Sequence, residues 1–189
     1  MTPVNLTLAA VAALAAAGAA RRGGVNRGDV VTDEDGDPLV VYHGTRSKFD
    51  VFSPAQRGRN WDDDASKIGF FFTSDEEDAH FFATKTGGDG TPLVLAAHLF
   101  MSNPVEIYSD DVSRYTRDWL SDLEWDDPGE YEFQTSTKAY ENSSSIHKGL
   151  ELAIVDAFER GRDGVVYTPD WGPTWYVVFN PSQVKVIQP

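Results

Sequence analysis

Cysteine is absent from the 189 residues, which excludes disulfides, thiolate metal sites and a cysteine nucleophile at once. The absence fits a reducing compartment. Positive charge is scarce: 16 Lys and Arg stand against 30 Asp and Glu, a formal net charge of −14. A nucleic-acid polyanion needs a basic surface, so none is favoured as the main partner. No apolar run is long enough for a stable membrane span of about 20 residues. The nearest approach, Val4–Ala20, is rich in alanine and ends at Arg21-Arg22-Gly23-Gly24. A signal peptide carries its positive charge before the apolar core, whereas these arginines follow it. Residues 1–25 therefore read as a helical arm that packs on a partner or a larger assembly, with a secretion signal as the alternative.

Common catalytic motifs are missing too. No phosphate-cradling glycine loop follows a strand, and no Gly-x-Ser-x-Gly elbow occurs. The four histidines, His43, His80, His98 and His147, share no ligand spacing, and the acidic runs at 62–64 and 75–78 lack the alternation of a calcium loop. A metal site is not expected. His98, inside an apolar strand, reads as a satisfied core histidine, and His147 as an exposed residue opening a helix.

What remains is ordinary for a globular domain: 41% apolar residues, 24% charged, and 11 Phe, 7 Tyr and 5 Trp to fill a core. One domain over residues 26–189 follows the arm. Val30–Thr32, an acidic Gly/Pro turn and Leu39–Tyr42 read as a hairpin. A short helical turn is expected at Lys48–Pro54 and a loop at 55–67. Within 46–67, Arg46, Lys48, Arg57, Arg59 and Lys67 nearly balance four aspartates, so this stretch could receive a phosphate or simply be solvated. Ile68–Thr73 predicts a strand, and Ser74 with Glu77 a capping box before a helix ending near Gly87-Gly88. Strands at Leu93–Met101 and Val105–Tyr108 precede helices at 110–124 and Ile146–Arg160, whose Leu150, Ile154, Ala157 and Phe158 recur at helical spacing. Strands Gly164–Tyr167, Trp175–Phe179 and Gln183–Ile187 close the chain. With strands outnumbering helices and no helix in every crossover, the class is α+β.

Three separated segments carry chemistry. Tyr42-His43-Gly44-Thr45-Arg46 puts a ring nitrogen, an open backbone and a hydroxyl together at the end of a β run, which can hold a planar polar ligand by one edge. Gly69–Ser74 is followed at helical distance by Ala79-His80-Phe81-Phe82-Ala83, and Trp175–Val184 forms the third segment. Phe71, Phe82 and Phe179 are either walls of a ligand slot or plain core aromatics.

In that order the segments, with Arg162–Val166 and Val178–Lys185, resemble the ADP-ribosyltransferase superfamily in its histidine–tyrosine–glutamate branch. The resemblance covers about residues 30–189 and is nearest to the transferase domains of phage polyvalent proteins and bacterial effectors. It implies split antiparallel β-sheets with flanking helices, preceded here by the Ala-rich arm. It also implies NAD as substrate and a protein acceptor, in a bacterial host cytoplasm reached by a phage or a secretion system. By resemblance, His43 bonds the adenosine-side ribose, the Gly44 backbone holds the nicotinamide carboxamide, and Thr45 and Arg46 assist near the adenosine and diphosphate. Phe71 and Phe82 stand where stacking tyrosines are usual, Thr73 lies on the same strand, and Ala79 replaces a carboxamide-binding serine. The catalytic glutamate falls at position 175, where this chain has Trp175. Gln183, Asp170 and Glu132 are the candidate substitutes, with Gln183 in a motif that the phage-type domains share. The implied activity is mono-ADP-ribosyl transfer to an acceptor selected by Thr168–Thr174. A non-catalytic NAD-binding or structural module and an NAD glycohydrolase are the alternatives.

Overall fold

The computed structural model describes residues 29–59, 63–85, 90–122 and 143–187. The N-terminal arm and Glu132 lie outside them. In chain order the elements are β1 Asp29–Val30, β2 Val41–Thr45, a 3-10 turn Pro54–Gln56, α1 Asp64–Ile68, β3 Phe70–Thr73 and α2 Glu76–Lys85. These are followed by β4 Leu93–Met101, β5 Val105–Tyr108, α3 Ser109–Asp122, α4 Ser143–Glu159, β6 Gly164–Thr168, β7 Trp175–Val178, a 3-10 turn Pro181–Gln183 and β8 Val184–Ile187.

The strands run in the order β1-β4-β2-β3-β7-β6-β5, with β8 also on β4; β5 and β6 pair in parallel and the other pairs are antiparallel. This is the α+β, split-sheet architecture implied by the sequence. The split lies between β2 and β3. Residues 41–45 of β2 pair with 97–93 of β4, and residues 70–73 of β3 with 178–175 of β7. Between β2 and β3, however, the register consists of Tyr42 opposite Thr73 alone. Beyond that point the strands part, and His43 helps hold them apart. Its Nδ1 lies 2.7 Å from the Phe71 carbonyl oxygen, taking an acceptor that a continued ladder would offer to the β2 backbone.

Each face of the sheet has its own core. Val41, Phe52, Phe70, Phe72, Leu99 and Val178 bury one face. On the other face Ile107, Val112, Leu150, Ile154, Val165 and Val177 pack beneath α3 and α4. Strand alternation explains the division, since Phe70 and Phe72 point to one side and Phe71 to the other.

Three local expectations need correction. β1 does not pair with β2; the acidic turn is present, with Gly36 at φ 86°, but the hairpin shrinks to a bridge at Thr32 and Pro38 because both strands pair with β4. The expected loop at 55–67 contains the start of α1, whose N-cap Asp63 accepts from Ser66 N at 2.6 Å and whose Ala65 and Ile68 are buried. The cap of α2 is Asp75, which accepts from Asp78 N at 2.8 Å, while Ser74 bonds Thr174 across the sheet end instead.

Candidate functional site

A cavity of about 480 Å³ opens where β2 and β3 separate. Its α2 end is lined by Gly44, Thr73, Ala79, Phe82 and Trp175, its middle by His43, Phe71 and Phe52, and its far end by Arg57, Arg59, His147, Lys148 and Glu151. The size suits a drug-sized or cofactor-sized ligand, for which pockets of roughly 300–1,000 Å³ are usual.

His43 is enclosed by aromatic edges. Its ring centroid lies 5.0 Å from that of Phe52, 5.5 Å from Phe72 and 6.3 Å from Phe49. Burial pushes its pKa below the usual 6.5, outweighing the hydrogen bond to the Phe71 carbonyl that acts the other way. A neutral ring that donates from Nδ1 to Phe71 leaves Nε2 as a bare acceptor. The imidazole can therefore receive a hydroxyl hydrogen and has no spare donor.

Gly44 is held by contact. A Cβ there would meet the Ala79 carbonyl oxygen at 1.9 Å and the Ala83 nitrogen at 2.8 Å, so α2 lies directly on the strand. Ala79 and Ala83, both buried, are the small residues that permit this approach. The same docking brings Phe82 to the cavity, edge-on to Trp175 with centroids 5.5 Å apart. Thr45 is buried, and its hydroxyl accepts from Ser47 N at 3.1 Å.

Thus His43, Gly44, Thr45, Phe71, Thr73, Ala79 and Phe82 share one cavity. Arg46 and Gln183 are not among its lining residues. Arg46 donates from all three guanidinium nitrogens to carbonyls, Nε to Ala83 at 3.1 Å, Nη1 to Gly90 at 2.9 Å and Nη2 to Thr84 at 3.0 Å. It satisfies carbonyls that the end of α2 would otherwise leave open. Gln183 is equally committed: its Oε1 accepts from Asn180 N at 2.9 Å, completing a capping box, and its Nε2 donates to the Phe100 carbonyl at 3.0 Å. The spacing of its motif reflects that cap. Asp170 is exposed on the β6–β7 loop, where its N bonds Ser109 Oγ at 3.0 Å. His98 is satisfied, its Nδ1 lying 2.9 Å from the Leu39 carbonyl oxygen.

At the far end, sequence reading named Arg57 and Arg59 in a stretch that could receive a phosphate but missed what α4 adds. Arg57 donates to the Phe179 carbonyl and lies 4.7 Å from the Phe70 centroid, so its guanidinium is fixed in the cavity wall. From α4, Leu150 and Ile154 reach the cavity beside Lys148, which pairs with Glu151 at 2.8 Å. The helical spacing of Leu150 and Ile154 marked a buried face, but nothing local indicated that the face meets a ligand slot.

Residues 33–189 match the family model described as ADP-Ribosyltransferase in polyvalent proteins. The chain belongs to this family. No curated protein and no solved structure matches it. The β2 histidine and glycine, the β3 aromatic and the α2 face converge on one slot. At the start of β7, Trp175 is among the residues that line the cavity. Among the described residues no helix is long and apolar enough to cross a membrane.

Proposed function

We propose that this ADP-ribosyltransferase domain cleaves NAD and transfers the ADP-ribose to a protein acceptor. The observation that carries the reading is the single cavity shared by the His43 imidazole, the Gly44 backbone and the Phe71 and Phe82 rings. Nicotinamide lies between the two rings, its carboxamide on the Gly44 edge of β2, which has no β3 partner. Ala79 offers no hydroxyl there, so one carboxamide hydrogen bond is missing, at a cost of about 0.5–1.5 kcal/mol. His43 Nε2 accepts from the ribose on the adenosine side.

Cleavage of the glycosidic bond develops positive charge on the ribose. The slot contributes by fixing the donor's orientation and excluding water from the reacting carbon. Neither task needs the tyrosine hydroxyls that Phe71 and Phe82 lack. Acceptor choice falls to the β6–β7 loop, where Trp171 is 92% exposed beside the strand that carries Trp175. A tryptophan left so open is suited to grip a partner surface.

The test is incubation with labelled NAD and a bacterial lysate. Labelled protein together with free nicotinamide is expected; no label on any macromolecule and no nicotinamide would falsify the enzymatic reading. Free ADP-ribose without labelled protein would instead identify a glycohydrolase. The tryptophan at position 175 favours a second reading, a module that binds NAD without cleaving it. Calorimetric binding without nicotinamide release would establish that one.

A further inference from the structure

Arg57 is a cation in the cavity wall without a counter-charge. Its guanidinium lies over the Phe70 ring, 4.7 Å from the centroid, and Nη2 donates to the Phe179 carbonyl. Both partners are neutral, and among the described residues no carboxylate pairs with it. Burial pushes its pKa below the usual value. A charge part-way out of water is costly unless an opposite charge reaches it. The residue lines the α1–α4 end of the cavity, and so does Arg59, which is exposed.

The acids at that end are already engaged. Asp63 Oδ1 caps α1 through Ser66 N at 2.6 Å. Glu151 accepts from Asp64 N at 3.1 Å and from Lys148 Nζ at 2.8 Å, so it and Lys148 offset each other. The two arginines are left in excess over Asp63. A guanidinium fork matches the oxygens of a phosphate.

The place of these arginines decides which phosphate they meet. In the reading above, nicotinamide lies at the α2 end and His43 takes the adenosine-side ribose in the middle. The diphosphate joins the two riboses, so it falls on the α2 side of that second ribose. Arg57 lies past it: the Phe52 centroid is 5.0 Å from that of His43 and 5.2 Å from that of Phe70, the ring Arg57 covers.

We propose that the dinucleotide taken by this cavity carries a phosphate on its adenosine ribose, the 2′-phosphate of NADP, and that Arg57 and Arg59 hold it. This inference rests on the NAD reading above and names the form of the dinucleotide. The His43 ring still finds a donor, the 3′-hydroxyl, and Leu150 and Ile154 give the adenine an apolar surface. A dinucleotide site that selects the unphosphorylated form places a carboxylate on the 2′-hydroxyl, whereas an arginine accommodates the 2′-phosphate.

The experiment uses the full chain. Calorimetry gives Kd for NAD, NADP, adenosine 2′-phosphate and adenosine 5′-phosphate, and nicotinamide release is measured from both dinucleotides. NADP is expected to bind about 10–100-fold tighter than NAD, the range that charge-assisted hydrogen bonds to one phosphate imply. The 2′-phosphate should likewise bind tighter than the 5′-phosphate. Arg57→Gln is expected to cost NADP about tenfold more than it costs NAD. Arg59→Ala, at an exposed position, narrows the preference by a smaller factor, and added salt narrows it too. NAD bound as tightly as NADP, or the 5′-phosphate preferred, overturns the proposal and leaves NAD cleavage standing. An equal loss for both dinucleotides in Arg57→Gln also overturns it, because the residue would then serve the shared diphosphate or the wall. Should Arg57→Gln not fold, Arg59→Ala and the salt series decide: an NADP preference that neither reduces rejects the assignment. A wild type that prefers NADP but releases nicotinamide from neither dinucleotide supports this assignment and removes the catalytic reading. Binding of neither dinucleotide removes both.

Discussion

At the α2 end of the cavity, Gly44, Thr73, Ala79, Phe82 and Trp175 form the wall without a charge among them; at the α1–α4 end, Arg57, Arg59, Asp63, His147, Lys148 and Glu151 surround it. The first end is set by contact. Helix α2 lies on β2 so closely that a methyl group would collide with its backbone. The second is set by ion pairs and caps between long side chains, such as Lys148 with Glu151 and Asp63 with the start of α1. Close packing fixes position to a fraction of an ångström, whereas partly solvated ion pairs tolerate adjustment. A planar group needs the first kind of surface to be oriented, and a flexible charged group can be held by the second.

The largest test of this difference is Gly44→Ala. The added Cβ meets backbone atoms of Ala79 and Ala83, which cannot swing aside as a side chain can. Overpacking of this kind should cost about 3 kcal/mol or more, read from urea denaturation. A loss below about 1 kcal/mol would show that α2 rides loosely on β2, and the contrast between the two ends would vanish. Next in size is Arg46→Ala, which strips three donors from the carbonyls of Ala83, Thr84 and Gly90. A loss of about 2 kcal/mol is expected. Hydrogen exchange should locate the loosening at residues 76–85, and protection unchanged there would refute the role assigned to Arg46.

The α2 end is also the part that was legible in the sequence. His43 and Gly44 end one strand, Phe71 and Thr73 sit on the next, and Ala79 and Phe82 follow one helical turn apart; periodicity assigns these elements, and the family resemblance implied that they meet. β4 and β5 were readable from their ends because Asn103-Pro104 divides them. The α4 side of the charged end was hidden because it joins residues about 90 apart, with α1 meeting α4 through Glu151 and Asp64. A five-residue helix such as α1 is too short to show a period. Turn chemistry likewise revealed the bend at Gly36 but not that both flanking strands pair with β4. Arg46 and Gln183 misled for a related reason: a polar residue beside a motif looks the same whether it holds a ligand or a helix end.

Between the two ends sits His43, and acid tests its burial. Burial lowers its pKa beneath 6.5, so just below pH 6.5 the unfolded chain binds a proton that the folded chain refuses. Its contribution is complete above 6.5 and declines as pH falls toward the lowered value, by at most about 1.4 kcal/mol per pH unit for one group. In His43→Asn, which keeps a donor for the Phe71 carbonyl, this part of the acid sensitivity should disappear. Thermal melts of both proteins between pH 7 and 5 measure it, and parallel curves would mean that the imidazole is not buried in solution.

The smallest effect belongs to the charged end. Glu151→Gln keeps the shape and an acceptor for Asp64 N but removes the charge opposite Lys148, whose side chain is 33% exposed against 15% for Glu151. A partly solvated pair of this kind contributes about 0.2–1 kcal/mol. Salt should erase most of that difference, since the screening length shrinks to about 3 Å at 1 M. The cost of Gly44→Ala, being steric, should survive the same salt unchanged. Denaturation of the two variants at low and high ionic strength therefore separates the two kinds of wall. Equal salt dependence would show that charge and close packing do not divide the cavity in this way.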